Sequence, residues 1–132
     1  MPPSLTILDH ICGMHTYSTP KTLRVDARFR SIDDFVVEEI LRDGTILSLD
    51  SPKIKPSGYP GLFTHFVLIK RNVDTFTVMN VLAKKLGVPR RMIFMSGMKD
   101  KEAITVQKAC IFGVPPEKLS SLRLRNISIV SP

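Results

Sequence analysis

Two periods of apolar residues run through this chain, and the switch between them marks its elements. Over 33–40, Phe35, Val37 and Glu39 fall on alternate positions among β-branched residues, as a strand would place them on one face. Asp43-Gly44 follows as a turn, across which 45–49 can pair back as a hairpin. The run 62–69 is almost wholly apolar or β-prone, which predicts a central strand covered on both faces and ending in Lys70-Arg71. The period then changes. Thr75, Met79, Leu82 and Leu86 recur at helical spacing, with Phe76, Val78 and Ala83 widening the stripe. Asp74 or Thr75 can cap that helix, Gly87 closes it and Pro89 prevents its continuation. Two further apolar runs, 92–95 and 109–112, flank a polar loop over 96–107. A short helix or turn is expected at 115–119, and a last strand at 127–130. Residues 1–22 keep no period and read as an arm, and 51–61, with three prolines and two glycines, as a surface loop. The pattern predicts an α+β fold over 23–132, with a mostly antiparallel or mixed sheet flanked by helices.

Composition narrows the class. The 132 residues amount to one domain's worth of chain, and 43% hydrophobic with 23% charged residues is the balance of a folded protein. No run of eighteen apolar residues exists, so no membrane-spanning helix is expected, and 1–4 lack the features of a signal peptide. Two cysteines in apolar surroundings, Cys12 and Cys110, suit reduced thiols and a cytoplasmic setting, or a nuclear one in a eukaryote. The net charge is +7, and 70–108 holds nine basic and three acidic residues, 9 − 3 = +6. Such a segment fits a polyanion such as RNA, and equally a basic solvated surface.

Most familiar chemistry is missing from the sequence. It contains no Walker loop, dinucleotide-type glycine motif, H-E-x-x-H or nucleophile elbow. His10, Cys12 and His15 lie close together, but three borderline ligands without a fourth make a poor zinc site. His65 reads as a sheet residue rather than a base. The segment that stands out is 96–107, where Asp100 lies between Lys99 and Lys101. Flanking cations favour the ionised carboxylate, so Asp100 is either a standing nucleophile or part of a solvated turn.

The wider wording favours the first. Gly97-x-Lys99-Asp100-Lys101-x-Ala103-x-Thr105-x-Gln107 resembles the signature of the tRNA pseudouridine synthase D (TruD) family. Asp34-Phe35-x-Val37-x-Glu39 is similar to the family's first motif, and Lys70-x-Asn72-x-Asp74-Thr75 to its strand end and helix entry, closest to the archaeal and eukaryotic branch. The resemblance implies a uridine isomerase acting on tRNA, typically at uridine 13, without metal or cofactor. Asp100 would be the nucleophile. Lys70 and Lys99 or Lys101 would partner phosphates or the nucleophile. Phe35 and Glu39 would support the pocket floor, and Gly97, Thr105 and Gln107 would hold the loop. In place of the family's proline before D-F stands Ile32, and the neighbouring basic residue stays open between Arg28 and Arg30. The family's later Gln-Arg-Phe-bearing motif and its inserted tRNA-gripping domain have no counterpart here. The chain is therefore expected to be an N-terminal piece, completed by further sequence or by a second chain. A non-catalytic RNA-binding module using the basic 70–108 segment is the alternative.

Overall fold

The computed structural model describes residues 7–14, 28–54, 61–130 and 132. His15, much of the 1–22 arm and residues 55–60 of the proline-rich loop lie outside them. Within the arm, α1 spans Ile7–Ile11 and buries no residue.

The framework is a five-stranded sheet built on two long strands. β2 (Phe63–Arg71) and β4 (Ile104–Phe112) pair antiparallel along their full length, Phe63 opposite Phe112 and Arg71 opposite Ile104. β5 (Ile127–Val130) adds antiparallel to the other side of β2. The far side of β4 is shared by β3 (Ile93–Met95), antiparallel, and β1 (Val36–Glu38), parallel. The sheet is thus mixed, with order β1-β4-β2-β5.

Helix α2 (Thr75–Leu86) lies on one sheet face. Asp74 caps it, its carboxylate accepting from the Thr77 amide at 2.8 Å and the Thr77 hydroxyl at 2.6 Å. Gly87, in the left-handed region at φ 70°, ends it. Val78, Leu82 and Leu86 bury against Phe66, Leu68, Ala109 and Ile111. Phe76 belongs instead to the exposed side, its ring under the Arg90 guanidinium at 5.2 Å. On the opposite sheet face, Leu47 covers Val67 and Val106, with Leu41, Leu49 and Ile69 around them. A short helix α3 (Pro116–Ser120) adds Leu119 to the α2-side core.

Three expectations change at the level of elements. The strand expected over 33–40 shrinks to Val36–Glu38, because Ser31 and Asp34 form a capping box and wind 32–34 into a 3₁₀ turn. Its hairpin survives as one bridge, Ile40 to Ile46, with Leu41 and Thr45 bonded at 2.8 Å. Both-face burial of the central strand holds only over 66–70. Phe63 and His65, nearer its start, are exposed. The strand after the polar loop begins at Ile104 rather than Ala109, so Thr105 and Gln107 are strand residues.

Candidate active site

The structure brings together the end of β2, the start of α2 and the loop that enters β4. At the end of β2 the chain must turn sharply into α2. Asn72 does so at φ 50°, a left-handed conformation that asparagine tolerates better than most residues. Gly97 opens the facing loop at φ 80°, where glycine alone is unstrained.

That loop is held at three points. The Lys99 amide donates to the Thr75 hydroxyl at 3.3 Å, and the Asn72 amide to the Ala103 carbonyl at 3.1 Å. Between them, the Lys70 ammonium donates to the main-chain carbonyl of Asp100. Asp100 itself is exposed, as are Lys101 and Gly97, while Lys99 is half-buried. The carboxylate side chain is therefore displayed on a loop whose backbone is tied down.

Lys70 is 0% exposed. Burial pulls its ammonium below the ordinary lysine range, and the charges of Asp100 and Asp74 act against that shift. A side chain enclosed in this way does not present its ammonium to solvent. Of the two kinds of partner the resemblance implied for Lys70, the contact in the structure is with the Asp100 loop.

Thr105 and Gln107 are also 0% exposed. Thr105 sits opposite Lys70 across the β2–β4 ladder, and Gln107 opposite Leu68. Directly paired residues share a sheet face, so Lys70, Thr105 and Gln107 form a polar layer continuing the α2-side core. Val37 joins that face through its pairing with Thr105. Thr105 Oγ1 and both polar atoms of the Gln107 amide have no hydrogen-bond partner among the described residues. The resemblance implied that these two side chains hold the loop; neither is hydrogen-bonded to it, and both lie on the sheet face that carries Lys70.

Glu39 meets a backbone amide, accepting from Lys108 N–H at 2.6 Å. This ties the segment after β1 to β4. Phe35 stacks on Phe29, ring centroids 5.1 Å apart, and its carbonyl accepts from the Ile104 amide at 3.0 Å. Its backbone thus adjoins the residue where the Asp100 loop enters β4. Arg28 and Arg30 are exposed. Two contributors to the site stood in a quoted motif without an assigned role: Thr75, which looked like a helix stripe residue, and Asn72, an asparagine placed where a strand must turn.

The basic residues do not form one patch. Lys99 and Lys101 belong to the loop at the N-terminal end of α2, whereas Lys84 and Lys85 occupy its last turn. Ten helical residues separate the two groups by about 15 Å. An open cavity of about 290 Å³ lies elsewhere, on the β3–β4–β2 side, lined by His65, Phe94, Met95, Ser96, Lys108 and Cys110 among others. Burial, aided by Lys108, lowers the His65 imidazole below its usual range, and burial raises the Cys110 thiol.

The described residues form an α+β fold with Asp100 displayed on a backbone-clamped loop, and comparison with known proteins identifies the family. The family model described as tRNA pseudouridine synthase D (TruD) matches residues 11–131, and the chain belongs to that family. Among curated relatives, a probable tRNA pseudouridine synthase D of Pyrobaculum neutrophilum is 42% identical over 105 residues, covering 80% of this chain and 25% of that protein. One from Pyrobaculum aerophilum is 36% identical over 105 residues, with the same coverage of 80% and 25%. The crystal structure assigned as TruD from Methanosarcina mazei superposes with a TM-score of 0.62 at 29% identity, covering 76% of this chain and 20% of that one. The chain spans about a quarter of the length of the curated relatives it matches.

Proposed function

We propose that this chain carries the nucleophile-bearing part of an RNA uridine isomerase, acting on tRNA and by family resemblance at uridine 13. The observation that carries this reading is the exposed Asp100 on a loop fixed through Lys99, Asp100 and Ala103. Such a carboxylate can attack C6 of uracil or C1′ of the ribose without the loop reorganising. The C1′–N1 bond breaks, the base turns, C1′ bonds to C5, and the bond to Asp100 breaks to return the free carboxylate. The proton on C5 leaves and N1 gains one, so the reaction is an isomerisation with no net electron change. The target uridine must leave its stack to meet a carboxylate on the surface. Lys101, exposed beside Asp100, is placed for a phosphate, and Lys99 less openly so.

The short coverage of the relatives favours a second reading, in which the chain binds RNA but isomerises it only together with the part of the family's length that it does not span. Tritium release from C5-labelled uridine in unmodified tRNA separates the two. Wild-type release that Asp100→Asn abolishes supports isomerisation by this chain. Silence from both, with release restored in a longer chain and again lost in Asp100→Asn, supports the second. Activity that survives Asp100→Asn overturns the assigned nucleophile.

A further inference from the structure

We infer that Lys70 is a positioning residue: its buried ammonium, held on the Asp100 main-chain carbonyl, sets where the nucleophile's backbone lies. The inference rests on the reading of Asp100 as the nucleophile and deepens it. It follows from a mismatch between burial and contacts. A fully enclosed lysine loses its hydration shell, a cost proteins normally offset with a carboxylate. Lys70 is fully enclosed, yet its hydrogen bond goes to a carbonyl oxygen, and that oxygen belongs to the residue displayed for chemistry.

The surroundings fit an anchor. The charged groups facing Lys70 are Asp100 from the loop and Asp74 from the start of α2, with Lys101 acting in turn on Asp74. From the sheet, Thr105 lies directly opposite and adds no charge. Leu68, the preceding residue on the same face, is locked in the α2-side core, so the Lys70 stem rises from a rigid base. A charge-assisted bond from such a base fixes the carbonyl more firmly than the neighbouring bonds at Lys99 and Ala103, which involve neutral groups. Phe35 receives the Ile104 amide just beyond, so movement of the loop is confined to the residues Lys70 spans.

Removing the charge while keeping the volume separates anchoring from bulk packing. Lys70→Met replaces a costly buried cation by an apolar chain of similar length, and the amides of the sheet interior report any global loss of stability separately from the loop. The loop, however, loses its central tie. In amide hydrogen exchange on the whole 132-residue chain, the reporters are the Lys99, Asn72 and Ile104 amides, which bond within or across the loop. Lys70→Met should speed their exchange by about tenfold or more, while the β2 amides of Val67 and Leu68 keep their protection. Equal loss of protection at both sets, or no change at the loop, overturns the proposal. Should Lys70→Met fail to fold, the wild-type chain still decides. A slowly exchanging Lys70 ammonium with a through-hydrogen-bond coupling to the Asp100 carbonyl carbon supports the anchor. A rapidly exchanging ammonium like that of surface lysines overturns it. Neither readout needs turnover, so a chain inactive in tritium release would defeat only the isomerisation reading. In a form that does turn over, Lys70→Met should lower kcat by about 100-fold with tRNA affinity unchanged. A loss confined to affinity would show Lys70 to be a phosphate contact after all.

Discussion

At the scale of single residues, the site depends on backbone conformation as much as on side chains. Gly97 adopts φ 80° three residues before Asp100, and a Cβ built there would meet nothing within 4 Å. Replacement by alanine is therefore a conformational test with no steric clash. Gly97→Ala should cost about 1 kcal/mol in urea unfolding, the usual penalty for an L-residue held left-handed. If the loop relieves that strain by shifting, Asp100 moves with it, and turnover falls far more than stability does. An unchanged unfolding midpoint would show that the turn has no need of glycine. Gly97 and Asp100 were both legible in the sequence, because a glycine and a carboxylate between lysines fall in one short motif. The burial of Lys70 was not. Its place at the end of an apolar strand gave no sign of enclosure, and the bond that takes its ammonium to the Asp100 loop is a long-range contact.

At the scale of elements, α2 shows what local signals can and cannot fix. Its boundaries followed from Asp74, Gly87 and the apolar spacing, all short-range features, and the helix occupies Thr75–Leu86 as expected. β1 is less legible in the sequence. The alternation of Phe35, Val37 and Glu39 was right, yet Ser31 and Asp34 compete for the same backbone and win its first turn. β4 was longer than its apolar run because Thr105 and Gln107 are polar residues in a buried strand, a pattern that periodicity assigns to a loop. The Asp74 cap gives the second prediction. The Thr77 hydroxyl, and after it the Thr77 amide, hold the Asp74 carboxyl below the ordinary range. A carboxyl lowered in the folded state contributes fully above its unfolded value, near about 3.9, and loses that contribution as pH falls through the lower folded value. Asp74→Ala should lower the melting temperature by about 5 °C at neutral pH, and the gap to wild type should close in acid. Asp74→Asn, which keeps the accepting oxygen, should retain most of the stability at neutral pH and lose less of it in acid. A gap that stays constant down to about pH 2 would remove Asp74 as the cap that titrates.

At the scale of the whole molecule, the question is how a net charge of +7 meets RNA. The excess over 70–108 looked like a single basic segment, but folding divides it. Lys70 is enclosed, Lys84 and Lys85 close the far end of α2, and Lys99 and Lys101 sit beside Asp100. Each phosphate neutralised by an accessible cation steepens the fall of affinity with salt, by about 0.7 to 0.9 in the slope of log K against log salt concentration. The three groups should therefore part company in a salt titration of tRNA binding. Lys99→Gln with Lys101→Gln should flatten the slope by up to about 2, with Lys101 contributing the larger share because it is the more exposed. Lys84→Gln with Lys85→Gln should flatten it only if bound tRNA extends along α2, about 15 Å from the loop. Lys70→Met should leave it unchanged, because a cation without solvent access releases no counterion. A flatter slope in Lys70→Met would mean that the enclosure opens on binding. An unchanged slope in the Lys99 and Lys101 double variant would remove the loop from the RNA interface. The order of these effects turns a sum of charges into a footprint, which composition could not supply because it counts cations without regard to where folding leaves them.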